Sequence, residues 1–145
     1  MPLTKIRSEN ISNSSNLSID NNTLFVDVTN DRIGIGTSSP AQKLEVSGSV
    51  NATDYNSTSD VKLKDNINTI NNGLEIITSI DPISFNWKEN GKKSYGVIAQ
   101  DIEKILPELV SGEDTKHVSY IQLIAFLIAA IKELNDKIEE LKNKA

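Results

Sequence analysis

The sequence predicts an α+β protein in two parts: a β-rich N-terminal segment, then a mainly helical domain with a small β-hairpin and a long C-terminal coiled-coil helix. Three observations predict it. Short alternating aliphatic runs recur before residue 50 at intervals of roughly ten residues, as stacked strands do. From about residue 60 the aliphatic period changes from two to between three and four. The last 25 or so residues then carry a heptad seam.

Residues 1–20 are rich in Ser and Asn, with isolated aliphatics at Ile6, Ile11, Leu17 and Ile19. Such a segment is expected to be disordered or held by neighbouring chains. Leu24–Val28, Arg32–Gly36 and Lys43–Val46 read as three strands, separated by the turn residues Thr29-Asn30-Asp31 and Thr37-Ser38-Ser39-Pro40. Three strands are too few for a sandwich and leave an apolar face open, which favours assembly with identical partners. Gly34-Ile35-Gly36 lacks the third glycine of a dinucleotide loop and reads as a strand closely approached by a neighbour.

Ile67, Ile70, Leu74, Ile77 and Ile80 recur at helical spacing, with Gly73 inside the pattern and Asp81-Pro82 ending it. Ile83–Trp87 and Ser94–Ile98 read as a hairpin around Glu89-Asn90-Gly91-Lys92, with Trp87 facing Tyr95 and both packed in the core. Ala99–Leu106 predicts a short helix, and His117–Tyr120 an extended lead into the last one. In that helix Ile124, Leu127, Ile131, Leu134, Ile138, Leu141 and Ala145 are spaced 3, 4, 3, 4, 3, 4. Isoleucine at a and leucine at d is a coiled-coil seam that, in parallel coils, leans towards dimers. Ile121 to Ala130 is apolar nearly all round and is expected to be packed inside the globular body.

The bulk numbers bound the function. The net charge is −5 with dispersed Lys and Arg, which argues against nucleic acid as a partner. No cysteine is present, so disulfides, thiol catalysis and Cys-ligated zinc are excluded. The apolar run Ile121–Ile131 is too short to span a bilayer, and the N-terminus lacks a basic-then-apolar signal, so no membrane partner is expected. The Asn-x-Ser/Thr triplets at Asn10 and Asn51 are by-products of composition. No phosphate-binding loop or metal-ligand spacing occurs, and no cofactor is expected. The acids Asp101, Glu103, Glu113 and Asp114 read as solvated, and the lone His117 as structural.

One stretch pairs a nucleophile with a base. Ser59-Asp60-Val61-Lys62-Leu63-Lys64 lies where the two patterns meet. A desolvated lysine can take a serine's proton and make it a nucleophile. The plainer reading is that Ser59 or Asp60 caps the following helix and the lysines are solvated. Spacing does not choose the lysine, although on a helix Lys62 would face Ser59 better than Lys64.

Ser59-Asp60-x-x-Leu63-Lys64-x-Asn66-Ile67, Phe85-x-Trp87, Gly96–Ile102, Pro107, Val118-Ser119-Tyr120 and the terminal heptads occur together in that order. Residues 59–145 thereby resemble the C-terminal intramolecular chaperone domain of phage endosialidases, tail fibres and neck appendages, also found in a membrane-tethered eukaryotic transcription factor. Ile33–Pro40 with Lys43–Gly48 resembles the fibre stalk that precedes it, so residues 1–58 are expected to be stalk and about 119–145 the coiled-coil helix.

The resemblance implies a homotrimer that guides the folding of an intertwined trimeric β stalk, its client being the upstream fibre or spike polypeptide. It implies release by autoproteolysis, with Ser59 as nucleophile and Lys64 as general base. The cut is expected at Ser59–Asp60, with Thr58–Ser59 as the alternative. Lys62 stands where the family has arginine, keeping the charge but not the bidentate hydrogen bonding. Assembly would take place in host cytoplasm and the parent protein would reside in the virion. A non-cleaving trimeric tip is the competing reading; an enzyme acting on external substrates would need a second constellation that the sequence lacks.

Overall fold

The computed structural model describes residues 16–20 and 23–144. The expectations for Ile6, Ile11 and Ala145 lie outside the described residues. The chain divides between Ser59 and Asp60 into two compact units.

The described part of the first unit is a four-stranded sheet in the order β1 (Leu17–Ile19), β2 (Leu24–Asp27), β3 (Arg32–Ile35), β4 (Leu44–Val46). The first two pairings are antiparallel and the third is parallel. At Leu17–Ile19 the expectation of disorder or of support by neighbouring chains is corrected: these residues pair with β2 of their own chain. The register aligns two rows of aliphatics across all four strands. Leu17, Val26, Ile33 and Leu44 form one, and Ile19, Leu24, Ile35 and Val46 the other. Alternate residues of a strand share a face, so all eight lie on one side of the sheet.

The opposite side is covered by the β3–β4 connection, residues 36–43, which is shorter than the dozen or more residues a parallel crossover ordinarily takes. Arg32 Nη1 donates to the Pro40 carbonyl at 2.8 Å, holding the loop down. A Cβ at Gly34 would lie 2.2 Å from the Thr37 carbonyl oxygen, so this strand position admits glycine alone. The expected close approach is therefore made by the chain's own loop.

Asp27, buried on the same covered side, organises the β2–β3 turn. Its carboxylate accepts from the Asn30 side-chain amide at 2.8 Å and from the Thr29 and Asn30 backbone N–H groups, both at 3.1 Å. The Asn30 side-chain bond, then the two backbone bonds and nearby Arg32, hold its pKa below the usual 3.8, against the opposing effect of burial. A depressed carboxylate pKa stabilises the fold above the unfolded value and loses that contribution as pH falls through the folded one. Amide exchange at Thr29 and Asn30 is therefore expected to stay protected at pH 3.8 and to accelerate below it, ahead of the β2–β3 ladder.

The second unit begins with one turn of 3₁₀ helix, Val61–Leu63, followed by irregular chain and then α1 (Gly73–Thr78). The helical spacing from Ile67 to Ile80, interrupted by Gly73, thus corresponds to a helix only in its second half. Asn66 and Asn72 take left-handed conformations, φ 52° and 61°, and each interrupts a helix. Ile67 is exposed, while Ile76, Ile77 and Ile80 pack on the core.

Gly73 is selected by packing. A Cβ there would lie 2.5 Å from the Ala129 Cβ and 2.7 Å from the Ala130 nitrogen of α3 (Tyr120–Lys144). Glu133 of α3 accepts from the Gly73 and Leu74 N–H groups at 2.7 and 3.2 Å, capping α1 from 60 residues away. Gly73→Ala is expected to lower stability by about 1–3 kcal/mol through overpacking. Glu133→Ala should lose about 1 kcal/mol as the cap goes. Denaturant midpoints at constant slope check both.

The hairpin β5 (Ile83–Asn86) and β6 (Lys93–Gly96) forms as expected. Trp87 and Tyr95 do not face each other. Tyr95 pairs with Ser84, with Lys93 over its ring, and Trp87 packs edge-on against Phe85 at 5.2 Å. Both rings are exposed, which corrects their expected burial. After the hairpin come α2 (Ala99–Ile105), a 3₁₀ turn at Pro107–Leu109, and the small antiparallel pair β7 (Val110–Ser111) and β8 (His117–Val118). Ile102, 1% exposed, anchors a core with Leu106, Leu109 and Leu123, and Phe126 packs against it.

Candidate functional site

The stretch singled out for chemistry is a capped turn. The Asp60 carboxylate accepts from the Lys62 N–H at 2.9 Å, Leu63 N–H donates to the Asp60 carbonyl at 3.1 Å, and Lys64 N–H donates to the Val61 carbonyl at 3.1 Å. The cap reading therefore holds for Asp60, although the helix it caps is one turn long. Ser59 precedes that helix, so the spacing argument that favoured Lys62 loses its basis. Thr58, Ser59, Lys62 and Lys64 are each exposed, and Lys64 leaves the turn in extended backbone.

Motif residues far apart in sequence meet elsewhere in the unit. The Tyr120 hydroxyl accepts from the Val97 N–H at 3.2 Å, and a Cβ at Gly96 would lie 2.5 Å from that hydroxyl. The Gly96-Val97 pair and the Val118-Ser119-Tyr120 run are thus two halves of one contact between β6 and the start of α3.

The remaining candidates are spoken for. Asp101 pairs with Lys104 at 2.8 Å and Glu103 with Lys116 at 2.7 Å. His117, Glu113 and Asp114 are exposed. Among the described residues no cluster of three His, Cys, Asp or Glu suits a metal, and no helix is long and apolar enough to cross a membrane.

The larger apolar features lie open. Leu123, Phe126 and Ala130 of α3 face the unit's own core side, and Ala129 meets α1. The heptad residues lie about 90° further round the helix at 100° per residue. Ile124, Leu127, Ile131, Leu134, Ile138 and Leu141 are all exposed, Ile131 at 66% and Leu141 at 68%. Ile121 and Ile128 are exposed too, which corrects the expectation that the upstream part of the helix would be enclosed. Only one side of it is covered by its own chain. The aliphatic sheet face is similar, with Leu44 60% exposed and Ile19, Ile33 and Ile35 also open. Sequence reasoning found the three downstream strand runs but missed how far their alternation, together with Leu17 and Ile19, builds one continuous face.

Residues 59–111 match the model of a peptidase family described as chaperone of endosialidase. That match over residues 59–111, with the relatives that follow, supports a C-terminal chaperone domain of the tail-fibre kind. Among its relatives, the long tail fiber protein Gp37 of Enterobacteria phage Ox2 is 36% identical over 107 residues, covering 66% of this chain and 43% of its own length. The long tail fiber protein Gp37 of Enterobacteria phage M1 is 38% identical over 96 residues, 58% of this chain and 38% of that protein. Myelin gene regulatory factor-like A of Dictyostelium discoideum is 27% identical over 143 residues, 81% of this chain and 15% of that protein. The chain thus spans less than half the length of each of these relatives.

Proposed function

We propose that the chain is the folding and trimerisation module of a tail fibre or related appendage, and that it releases itself after assembly by one cut at Ser59. Residues 1–58 are read as the stalk end and 59–145 as the chaperone, ending in a coiled coil. The observation that carries the reading is a coincidence of boundaries. The division between the two structural units falls at Ser59/Asp60, the residue at which the family match also starts.

The assembly step follows from cost. In-register pairing of separate chains must overcome a large loss of chain entropy before non-local contacts form. A helical domain that associates first raises the effective concentration of the strands held upstream. The two exposed apolar surfaces, the α3 seam and the sheet face, would each be covered by copies of themselves. Neither surface row carries a charge, so identical copies meet without like-charge repulsion. Once the helical unit has left, a trimer that opens lacks its nucleus and is kinetically trapped.

In the cleavage step Lys64 Nζ takes the Ser59 hydroxyl proton. The Ser59 Oγ forms an ester with the carbonyl carbon as the peptide C–N bond breaks. The proton passes to the departing amine, and water then hydrolyses the ester. Attack on the Thr58 carbonyl closes a five-membered ring within one chain. Attack on the Ser59 carbonyl by the same residue would close a strained four-membered ring, so a cut at Ser59–Asp60 calls for the serine of a neighbouring subunit. Mass spectrometry of the folded product tests the proposal: fragments meeting at residue 59 support it, an intact chain refutes it, and the two bonds differ by the mass of one serine.

The open setting of Ser59 and Lys64 favours a second reading, a tip that trimerises and stays attached. Under the first reading, the desolvation that activates Lys64 comes from subunit surfaces brought up by assembly. Assembly would occur in host cytoplasm, with the fibre itself ending in the virion.

A further inference from the structure

We infer that Asp60 is a positioning residue for this self-cleavage, a role that rests on the reading above. The turn Val61–Leu63 buries none of its residues, so packing within the chain contributes little to its shape. Local bonds help hold it, among them the Asp60 carboxylate on the Lys62 N–H at 2.9 Å and the two backbone bonds that close on Leu63 and Lys64. A single helical turn is costly to nucleate, so without its cap it is mostly frayed.

The turn decides where Lys64 goes. Its N–H is tied to Val61, and its backbone leaves at φ −126°, ψ 133°. Fraying frees the four residues between the nucleophile and its base, and productive encounters fall with the fraction of time the turn is formed. Lys62 serves this arrangement through its backbone N–H alone. The lysine that stands where the family has arginine therefore leaves the device intact.

The carboxylate thus acts as a hydrogen-bond acceptor, and its charge is incidental. Removing an N-cap acceptor changes the ratio of formed to frayed turn about fivefold, whereas asparagine and serine cap about as well as aspartate. The test is a self-cleavage time course of the full chain, followed by gel and mass spectrometry, for wild type, Asp60→Ala, Asp60→Asn and Asp60→Ser. Circular dichroism and sedimentation confirm equal folding and assembly. Asp60→Ala is expected to cleave more slowly at the same bond, by up to about fivefold, with Asp60→Asn and Asp60→Ser near the wild-type rate. Wild-type speed in Asp60→Ala overturns the inference and leaves the cleavage reading standing. Asparagine and serine variants as slow as alanine also overturn it, by assigning the effect to charge. An uncut wild type removes the cleavage reading itself, and the positioning role with it.

Discussion

Ser59→Ala and Lys64→Ala are each expected to leave the chain at full length on a denaturing gel after folding, while wild type resolves into two fragments meeting at residue 59. Under the proposed mechanism, alanine at 59 removes the atom that forms the acyl bond, and alanine at 64 removes the group that takes its proton. Residues that act as one unit lose most of the rate when either is removed, here at least about a thousandfold. Lys64→Arg sharpens the result, because a guanidinium cannot deprotonate in a protein and so cannot serve as base. Lys62→Ala should still cleave, since its backbone caps the turn and its side chain is not needed for proton transfer. If Lys62→Ala were the inactive variant and Lys64→Ala the active one, the assignment of the base would be reversed. Cleavage in both lysine variants would end the dyad reading altogether.

The parts of this fold that local pattern controls were legible in the sequence. Alternation located β2, β3 and β4 to within a residue, and turn chemistry located the β5–β6 hairpin. The heptads marked α3 along its length. The segment between Lys64 and Gly73 was not legible, because its aliphatic spacing suits a helix while its backbone does not. Asn66 and Asn72 sit in left-handed conformations, and periodicity carries no information about that. Gly73 looked like a flaw within a helix and is instead its first residue, fixed by Ala129 and Glu133 some 60 positions on. Such a contact exists only after folding. The candidate site shows the same division. Asp60 as a cap follows from residue type and position, but the length of the helix it caps does not. The expected enclosure of Ile121–Ala130 failed for a related reason. Hydrophobicity on all sides says that burial is favoured on every side, and a single chain covers only one of them.

Ile131→Asp is expected to keep the chain monomeric at micromolar concentration in sedimentation, where wild type associates. Ile131 occupies the middle a position of the seam and is 66% exposed in one chain, so its burial is available only to association. Fully covering an isoleucine or leucine side chain contributes about 1.5–3 kcal/mol, and each chain offers six. Aspartate withdraws one such contribution from every subunit and brings like charges together on the axis of the bundle, where they are desolvated. Three heptads are marginal alone, so a loss of this size decides between assembled and free chains. The fold of the single unit should survive, because Leu123, Phe126 and Ala130 on the adjacent face hold α3 to its own core. An unchanged circular dichroism spectrum checks that. Cleavage then becomes the discriminating readout. If assembly supplies the desolvation that Lys64 lacks in one chain, the monomeric variant stays uncut although Ser59 and Lys64 are both present. A monomer that still cleaves would show that the site is complete within one chain, and would leave cleavage without a way to report on assembly.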